Sequence, residues 1–553
     1  MARIERRLSE FFTKETAAEA GYTGDGAKAA PAGLSADPVV TGLEYDSRKV
    51  KPGNLYFALP GLHTDGHRYI GDAVKKGAAV IVHEAGPGEK PEGPVYLGVK
   101  NSRFAMSPVS AAFYGCPSRR LIVCGVTGTE GKSTTVFLIW QLLRLLGKKA
   151  GFFSTVQYST GGEAEWNPEH QTTPEAPAVQ RLLWEMAENG AEYAVVEASS
   201  HGLSERTNRL GNVDFDAAVF TNVTHEHLEF HGTWEQYRYD KANLFRALDR
   251  ERVKVFNAAA RGNSADGKAG MARVPEPFGV INADDPSADY FTEATKRRTL
   301  TYSVRGMEAD LSVHSIESGA FGNWYEALVA ADRDSLDIRD QLPGGFNTGN
   351  VLAALLALQG LTGKSVRETA PLAARLKPVR GRMTAVNRGQ PFEALVDYAH
   401  TPSSFSAIFP PLRERINKTK GRIISLFGSA GERDTGKRSR QGRIAADYSD
   451  ILILTDEDPR GEKSMDILEE IAAGAPERKR GKDLFLIPDR PAAIRKAFSL
   501  ARPGDLVLLL GKGHENSIIY AEKTVAYDEI GEAEKALEER GFKTGSYSSL
   551  QSP

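Results

Sequence analysis

The residues best suited to chemistry form a glycine-rich segment between an apolar stretch and an amphipathic one. It reads Gly128-Thr129-Glu130-Gly131-Lys132-Ser133-Thr134. Glycines let backbone N–H groups face phosphate oxygens, and the start of a following helix adds the positive end of its dipole. Lys132 can neutralise the β- and γ-phosphates, and Ser133 can hold Mg²⁺. Because Val126 replaces the first glycine of the strict pattern, the segment indicates a variant nucleotide-binding loop.

A second group of reactive side chains lies between residues 197 and 241. Its members are Glu197, His201, His225, His227, His231 and Lys241. Taken alone, the H-x-H-x₃-H spacing permits a zinc hydrolase site, and hydrogen-bonding loop histidines would look the same. A carboxylate–imidazole site for Mg²⁺ beside a triphosphate is the most economical interpretation, because a phosphate loop lies upstream.

Strands and helices must bring these groups together. The apolar run Leu121 to Cys124 predicts a strand, and a helical period continues through Leu146, so the glycine-rich loop lies between them. Short apolar runs near Val195 and Val219 alternate with helical segments, and the residues after 375 repeat this rhythm. Such alternation predicts an α/β fold with parallel sheets, in which ligands gather at the carboxyl ends of strands.

Composition limits the class of protein. The 553 residues include 70 Lys and Arg against 72 Asp and Glu, so a formal net charge of −2 offers no basic field for nucleic acid. Only Cys116 and Cys124 occur, which argues against a disulfide scaffold and suits a reducing compartment. No apolar stretch approaches the ~18 residues of a membrane span. The amino terminus lacks a secretory h-region, so we expect a cytoplasmic protein without a membrane span.

Twelve sequence blocks in a fixed order resemble the Mur ligase family, and within it the branch that makes the muramoyl tripeptide. The blocks are YDSRKVKPGNLYFALPG (from Tyr45), VTGTEGKSTT (Val126), EASSHGLS (Glu197), FTNVTHEHLEFHG (Phe220), YDKANLF (Tyr239), NADDP (Asn282), LPGGFNTGN (Leu342), PVRGRM (Pro378), VDYAHTP (Val396), GSAGERDTGKRS (Gly428), TDEDPRGE (Thr455) and GKGHE (Gly511). Any one block could arise by chance, but twelve in order across nearly the whole chain are highly specific.

The resemblance implies three α/β domains and a ligase reaction. Residues 1–118 would bind a UDP-MurNAc dipeptide, 119–374 would form a central P-loop ATPase domain with a parallel sheet, and 375–553 a Rossmann-like domain for an amino acid. The implied enzyme is an ATP-dependent ligase of peptidoglycan precursor synthesis, and we expect it to be a monomer. It activates UDP-MurNAc-L-Ala-D-Glu as an acyl phosphate and adds diaminopimelate, lysine or ornithine. The alternatives are a folylpolyglutamate-synthetase-like ligase, a P-loop NTPase switch and a metal-dependent hydrolase.

The resemblance also implies the residues that act on the nucleotide. The candidate catalytic residues are Lys132, Glu197, His227 and Lys241. The candidate Mg²⁺ ligands are Ser133, Glu197, His227 and Lys241 as a carbamate. Two Mg²⁺ ions and Lys132 would neutralise the charges of a carboxylate brought against a triphosphate. The expected ATP-binding residues are Gly128, Thr129, Glu130, Gly131, Lys132, Ser133, Thr134, Asn347, Arg382 and Asp397.

Further matched positions would bind the other two substrates. Those expected at the UDP moiety are Tyr45, Ser47, Leu62, His63 and Thr64. Those expected at the muramoyl dipeptide are Gln171, Thr172, Thr173 and Ser199. Those expected at the incoming amino acid are Arg433, Glu457, Asp458, Pro459, Arg460, Gly511 and Glu515.

Several positions depart from the family pattern. Glu130 replaces an Asn in the phosphate loop, and its carboxylate would repel phosphate unless it points away or faces a metal ion. The commoner Asp residues around His227 are replaced by Glu226 and Glu229, and either Arg206 or Arg209 could stand for the Arg expected after the SSHGL block.

The segment that would recognise the amino acid departs as well. Asp458 replaces Asn in the D-N-P-R segment of diaminopimelate-adding relatives, and its added charge could favour a cationic head such as that of lysine or ornithine. Arg460 is retained, and its planar fork suits bidentate binding of a carboxylate. The sequence therefore leaves the third amino acid open.

Overall fold

The computed structural model describes residues 4–23, 36–61, 64–84, 90–167, 171–224, 228–251, 254–255, 274–319 and 322–543. The chain divides into two compact units. The first contains Met1–Ser312, Leu328–Asp334 and Gly349–Ala370, and the second contains Val313–Ala327, Ser335–Thr348 and Pro371–Pro553. Among the described residues, no helix has the length and apolar content of a membrane span.

The amino-terminal part of the first unit is built on a parallel sheet. Its strands, in spatial order, are Gly42–Glu44, Asn54–Phe57, Val80–His83 and Val95–Gly98. A short antiparallel pair, Arg6–Arg7 with Val39–Val40, lies apart from this sheet. The helices of this part are Leu8–Phe11, Lys14–Glu19, Gly66–Tyr69 (3₁₀), Ile70–Lys75 and Ser102–Phe113. Apolar side chains of the strands and of the helix Ser102–Phe113 share one core.

A larger sheet in the first unit carries the phosphate loop. Eight of its eleven strands, in spatial order, are Glu165–Trp166, Gln157–Ser159, Ala150–Phe153, Tyr193–Glu197, Ile122–Thr127, Ala217–Phe220, Phe278–Asn282 and Arg298–Ser303. The strand Gln157–Ser159 pairs antiparallel with both of its neighbours, and the other neighbouring strands of this series pair parallel. The helices here are Pro117–Arg120 (3₁₀), Lys132–Leu145, Ala176–Glu188, Ser200–Leu203, Leu228–His231, Trp234–Arg246, Ala247–Asp249 (3₁₀) and Ala288–Glu293.

The central strands of this sheet are buried on both faces, as continuous apolar runs predict. The predicted strand at Leu121–Cys124 is observed as Ile122–Thr127, and the helix ends at Leu145. Three strands, Leu311–Gly319, Gly322–Val329 and Asp334–Asp340, and the helix Asn347–Thr362 each have residues in both units. The helix Val366–Thr369 follows in the first unit, and the 3₁₀ turn Ala370–Arg375 crosses the boundary.

The second unit is built on another mostly parallel sheet. Its strands, in spatial order, are Thr384–Ala385, Glu393–Asp397, Leu506–Leu510, Ile423–Phe427, Ile451–Leu454 and Leu484–Leu486. Only the first of these pairs antiparallel. The helices are Pro402–Thr419, Gly436–Tyr448, Ser464–Ala472, Arg490–Leu500 and Glu529–Glu539, and a hairpin joins Ser517–Ile519 to Thr524–Ala526. Apolar cores cover both faces of the sheet, so its polar groups gather at strand ends.

Candidate active site

The phosphate loop has the predicted strand–loop–helix geometry. It follows the buried strand Ile122–Thr127, and Gly131 caps the helix Lys132–Leu145 with φ +82°. A Cβ at Gly131 would lie 2.4 Å from Asn350 Oδ1, and one at Gly128 would lie 1.9 Å from Thr221 Oγ1. Both positions therefore require glycine. The loop backbone and helix N-terminus are suited to an anionic phosphate.

The end of the neighbouring strand holds this loop in place. Thr129 N donates to Asn222 O over 2.7 Å, and Glu130 N donates to Asn222 Oδ1 over 2.9 Å. Thr221 Oγ1 donates in turn to Glu130 O over 2.6 Å. Asn222 was not predicted as a site residue, although it lies in the block that begins at Phe220. Its role depends on a contact across 92 residues, which the local sequence does not reveal.

Ser133 and Glu197 meet beneath the loop. Ser133 Oγ donates to Glu197 Oε2 over 2.9 Å, and the Thr155 backbone N–H and hydroxyl also donate to this carboxylate, over 2.7 and 3.1 Å. Glu197 is buried. Hydroxyl and carboxylate oxygens are the donors that Mg²⁺ prefers, so this pair fits a nucleotide-associated metal ion. Lys132 Nζ, half-buried, donates to Thr129 O over 2.7 Å.

Lys241 reaches the loop from the helix Trp234–Arg246. Its side chain is buried, and Nζ lies 2.5 Å from Gly128 O and 4.4 Å from the centroid of the Tyr237 ring. The Tyr237 hydroxyl lies 3.2 Å from Thr129 Oγ1. A buried cation is costly without polar partners, so these contacts keep Lys241 against the loop. The structure thus brings together Lys132, Ser133, Glu197 and Lys241.

His231 is occupied by contacts within the protein. Its Nδ1 lies 2.8 Å from Asp240 Oδ2, and its Nε2 lies 3.0 Å from Ser200 Oγ. All three side chains are buried. Because both ring nitrogens are engaged, His231 is not available as the third ligand of the alternative H-x-H-x₃-H zinc site. Within the described ranges, no group of three or more His, Cys, Asp or Glu residues is placed to hold a metal ion.

Four other predicted residues precede this histidine in the chain. His225, Glu226 and His227 lie outside the described residues, and the side chain of Glu229 does so as well. The predicted role of His227 as a metal ligand therefore stays a prediction.

The residues predicted at the muramoyl dipeptide flank Glu197. Thr173 Oγ1 donates to Glu197 O over 2.9 Å and accepts from the Ser199 backbone and hydroxyl over 3.0 and 2.9 Å. Gln171 is exposed and Thr172 half-buried beside them.

The two candidate arginines near this segment have different surroundings. Arg209 donates to Thr173 O over 2.8 Å and to Glu175 over 2.7 Å. Arg206 is exposed and donates to Phe230 O over 3.0 Å. The structure therefore associates Arg209, rather than Arg206, with the Gln171–Thr173 segment.

The residues predicted to contact UDP lie around the amino-terminal sheet. Tyr45 packs against the core of this sheet. Ser47 O accepts from Lys76 Nζ over 3.0 Å, and Thr64 Oγ1 lies 3.1 Å from the Tyr69 hydroxyl. Leu62 and His63 lie outside the described residues.

In the second unit, Asn347 and Asp397 are both held by the backbone. Asn347 begins the helix Asn347–Thr362, and its Nδ2 donates to Pro343 O over 2.8 Å. Asp397 Oδ2 accepts from Met383 N and Oδ1 from Ala399 N, each over 2.7 Å. Burial raises the pKa of Asp397, while the nearby Arg382 guanidinium opposes this rise.

The segments predicted to bind the amino acid meet at the carboxyl ends of strands in the second unit. Lys512 Nζ lies 2.9 Å from Asp458 Oδ1 and 2.5 Å from Glu515 Oε2. Asp458 also accepts from Ile519 N over 3.0 Å. A Cβ at Gly511 would lie 3.1 Å from Glu457 Oε2. The predicted negative charge of Asp458 is therefore ion-paired with the buried Lys512 ammonium, and its effect on the choice of amino acid stays a prediction.

Polar atoms without a partner remain beside this ion pair. Among the described residues, Glu457 Oε2, Arg460 Nε and His514 Nδ1 are buried and have no hydrogen-bond partner. Arg460 adopts φ +54°, and its backbone N–H donates to Ile519 O over 2.9 Å. Buried polar atoms are normally satisfied, so these three atoms near the predicted amino-acid segments are available to a ligand. Arg433 is exposed.

These features define an α/β protein with a variant phosphate loop and a separate set of charged loops at a second sheet. Sequence profiles of known families match most of the chain. The "Mur ligase family, catalytic domain" matches residues 39–112, the "Mur ligase middle domain" matches 126–274 and 271–358, and the "Mur ligase, glutamate ligase domain" matches 381–513. The chain belongs to the Mur ligase family, which confirms the resemblance of the twelve blocks.

Full-length relatives support this membership. The chain is 52% identical to the UDP-N-acetylmuramyl-tripeptide synthetase of Treponema denticola, over 90% of this chain and 94% of that protein. It is 47% identical to the UDP-N-acetylmuramyl-tripeptide synthetase of a Roseiflexus species, over 92% of this chain and 96% of that protein. It is 38% identical to a UDP-N-acetylmuramoyl-L-alanyl-D-glutamate--2,6-diaminopimelate ligase of Geobacillus kaustophilus, over 91% and 96%.

Solved structures share the fold. A UDP-N-acetylmuramoyl-L-alanyl-D-glutamate--2,6-diaminopimelate ligase superimposes with a TM-score of 0.58 and 26% identity, over 90% of this chain and 95% of that one. A folylpolyglutamate synthase of Mycobacterium tuberculosis has a TM-score of 0.53 at 14% identity and covers 73% of this chain, which shows likeness of fold alone. The predicted class, a mixed α/β protein with parallel sheets, is confirmed.

Proposed function

We propose that this protein is an ATP-dependent ligase that adds a dibasic amino acid to UDP-MurNAc-L-Ala-D-Glu during peptidoglycan precursor synthesis. One observation carries the proposal: Ser133, Glu197 and Lys241 converge on a phosphate loop in a chain 52% identical to a named tripeptide synthetase. A nucleotide switch would need no loops for an amino acid. A hydrolase would need free histidines, whereas His231 is engaged.

The proposed reaction has two steps. A D-glutamyl carboxylate oxygen attacks the γ-phosphorus of ATP, which forms an acyl phosphate and releases ADP. The deprotonated amine of the amino acid then attacks the acyl carbon, an amide forms, and phosphate leaves. The protein's task is to bring two anions together, so Lys132 and the loop N–H groups neutralise phosphate charge.

The metal ion belongs at Ser133 and Glu197 in this proposal. When bound, Mg²⁺ would screen the like charges of the triphosphate and the carboxylate. Ser133 and Glu197 would supply oxygen donors, and His227 is proposed as a further ligand. We also propose that Lys241 is carbamylated, because a carbamate would turn a buried cation at Gly128 into an anion that helps to hold the metal.

The incoming amino acid is proposed to bind at the loops of the second unit that hold buried polar atoms without hydrogen-bond partners. Arg460 would bind its carboxylate, since a guanidinium fork matches carboxylate geometry. Glu457 would face an ammonium group with its unpartnered oxygen. Asp458 is ion-paired with the buried Lys512, which it shares with Glu515, and we propose that this pairing weakens any preference of Asp458 for lysine or ornithine over diaminopimelate.

We retain the other predicted assignments as part of the proposal. Residues 1–118, 119–374 and 375–553 would act as three domains of a cytoplasmic monomer. The proposed UDP and dipeptide contacts are Tyr45, Ser47, Leu62, His63, Thr64, Gln171, Thr172, Thr173 and Ser199, and the proposed nucleotide contacts outside the loop are Asn347, Arg382 and Asp397.

A phosphate-release assay tests the function. Purified protein is mixed with ATP, Mg²⁺, UDP-MurNAc-L-Ala-D-Glu and, in separate reactions, diaminopimelate, lysine or ornithine, and the peptide product is verified by mass spectrometry. We expect release only when both the UDP substrate and one of the amino acids are present. Release that is independent of either substrate contradicts the proposal.

A further inference from the structure

A buried ion pair lies behind the charged loops of the second unit. Arg490 and Glu529 are each fully buried, with Nε 2.8 Å from Oε2 and Nη2 2.7 Å from Oε1. The Tyr527 hydroxyl donates to Glu529 Oε2 over 2.6 Å. Arg490 begins the helix Arg490–Leu500, and Glu529 begins the helix Glu529–Glu539. One bidentate pair thus joins the starts of two helices.

The same guanidinium also reaches the backbone carbonyls of Asp456 and Leu510, the two loop stems from which the loops Glu457–Arg460 and Gly511–Glu515 begin. Nη1 of Arg490 donates to Asp456 O over 3.0 Å, and Nη2 donates to Leu510 O over 2.7 Å. Leu510 ends the strand Leu506–Leu510, and Asp456 lies two residues beyond the strand Ile451–Leu454. These strands are not neighbours, because Ile423–Phe427 lies between them. One planar group therefore sets the separation of two loops that the sheet does not join directly.

Those two stems lead into the residues proposed to bind the amino acid. Asp456 is followed at once by Glu457–Arg460, and Leu510 is followed by Gly511–Glu515. The two loops lie so close that a Cβ added at Gly511 would be 3.1 Å from Glu457 Oε2. A shift of either stem carbonyl would therefore move Glu457 relative to Gly511. The Arg490 fork thus holds the backbone positions from which Glu457–Arg460 and Gly511–Glu515 extend.

Stability alone does not explain a charged pair in this place. A buried ion pair is often no more stabilising than well-packed apolar residues, because both ions lose their hydration. Its particular value is directional, since a guanidinium donates along a rigid fork. Here that fork serves one carboxylate and two carbonyls at once. Tyr527 and Glu529 lie beyond residues 381–513, which match the glutamate ligase domain.

We propose that Arg490 is a positioning residue for the incoming amino acid, and that Glu529 and Tyr527 hold its guanidinium in orientation. This inference rests on the proposed function, because it assigns the two loops to the amino acid. It makes Tyr527 and the fully buried Glu529 part of the machinery that sets affinity for this substrate.

Steady-state kinetics of three variants test the inference. Arg490→Lys keeps the charge but loses the fork, Glu529→Gln keeps the shape but loses the anion, and Tyr527→Phe removes one hydrogen bond. We expect Arg490→Lys and Glu529→Gln to raise the KM for the amino acid roughly tenfold, and Tyr527→Phe less, as expected for loss of charge-assisted hydrogen bonds. The KM values for ATP and for UDP-MurNAc-L-Ala-D-Glu should stay within about twofold of wild type.

Arg495 offers a matched control on the same pair of helices. It pairs with Glu539 over 2.7 Å and with Glu532 over 3.3 Å, but it contacts neither loop stem. Arg495→Lys should leave all three KM values unchanged. An equal rise in the amino-acid KM for Arg495→Lys would show that general loosening of the helices suffices, and would overturn the positioning role.

The remaining outcomes separate this inference from the proposed function. If wild type is active and a folded Arg490→Lys variant keeps the wild-type amino-acid KM, the inference fails and the function stands. If Arg490→Lys does not fold, as circular dichroism would show, Glu529→Gln and Tyr527→Phe decide by the same criterion. If wild type releases no phosphate in response to any amino acid, the proposed function fails and the inference falls with it.

Discussion

Lys512 Nζ lies 2.9 Å from Asp458 Oδ1, and this contact joins two loops of the second unit through a fully buried ammonium group. The same ammonium lies 2.5 Å from Glu515 Oε2, whose partner oxygen accepts from the Tyr398 hydroxyl over 3.2 Å. Two carboxylates of the predicted pocket thus share one ammonium partner. Glu457 Oε2 is buried without a hydrogen-bond partner, so it is a further acceptor that a ligand could meet.

Replacement of Asp458 by Asn tests whether its charge reaches the substrate. Because Asp458 is ion-paired with the buried Lys512, we expect Asp458→Asn to change kcat/KM for diaminopimelate, lysine and ornithine by similar factors. Glu457→Gln is the matched change at the carboxylate with an unpartnered oxygen. It should instead lower kcat/KM for the preferred amino acid by about tenfold or more. A shift of the Asp458→Asn variant toward diaminopimelate would show that the substrate senses the Asp458 charge.

Removal of the Lys241 side chain tests the proposed carbamate. Lys241→Ala should reduce phosphate release by about a hundredfold or more, since a group beside the loop is lost. Short carboxylic acids such as formate or acetate should restore part of it, because they can replace a carboxylate in the vacated space. Lys132→Ala is the control and should show no such rescue. Full activity of Lys241→Ala, or equal rescue of both variants, would contradict the carbamate.

Gly131→Ala tests the geometry of the phosphate loop. Its Cβ would lie 2.4 Å from Asn350 Oδ1 at a φ of +82°, so both a clash and backbone strain are expected. We expect weaker binding of ATP analogues by calorimetry and a loss of about 1–3 kcal/mol in the free energy of unfolding. At Gly147, φ is +74° with nothing within 4 Å, so Gly147→Ala adds strain without the clash. Similar nucleotide affinity in both variants would contradict the clash argument.

The buried Ser200–His231–Asp240 chain should behave as one energetic unit. Because His231 links the other two, Ser200→Ala and Asp240→Asn should be non-additive in urea unfolding, with a coupling energy of about 0.5–3 kcal/mol. Ser204, also buried, contacts the Arg206 backbone instead. Ser204→Ala should therefore combine additively with Asp240→Asn, and a coupling of the same size in that pair would argue against transmission through His231.

His514 makes the free energy of unfolding sensitive to acid. Burial lowers its pKa well below the ordinary value, and the nearby Arg382 cation acts in the same direction. Below about pH 6.5 the unfolded chain binds a proton at this site while the native state does not, so stability falls as pH falls. The contribution of one such site approaches about 1.4 kcal/mol per pH unit.

Unfolding in urea at pH 7.5, 6.5 and 5.5 measures this dependence. His514→Gln should make the free energy of unfolding fall less steeply below pH 6.5. The change in slope should correspond to the uptake of at most one proton on unfolding. His314, which is exposed on a strand of the second unit, provides the control, and His314→Gln should retain the wild-type slope. A wild-type slope in His514→Gln would show that other groups cause the acid sensitivity.

Local sequence was sufficient to predict the phosphate loop and the sheets. The loop at Gly128–Thr134 is recognisable because glycines, a lysine and a hydroxyl must follow one another closely to surround a phosphate. The buried strands appear as continuous apolar runs, because a parallel strand is covered on both faces. The twelve ordered blocks extended this to the family, and their residues at the carboxyl ends of strands pointed to most of the candidate site.

Only the tertiary structure decided which charged groups are free and which are paired. Asp458 and Lys512 are 54 residues apart, and Arg490 reaches carbonyls 34 and 20 residues away. No local pattern encodes such contacts, because they arise where separate strands end at one edge of a folded sheet. The sequence by itself determined the chemistry that is present in this protein. Burial and long-range pairing determined which part of that chemistry is left to meet a ligand.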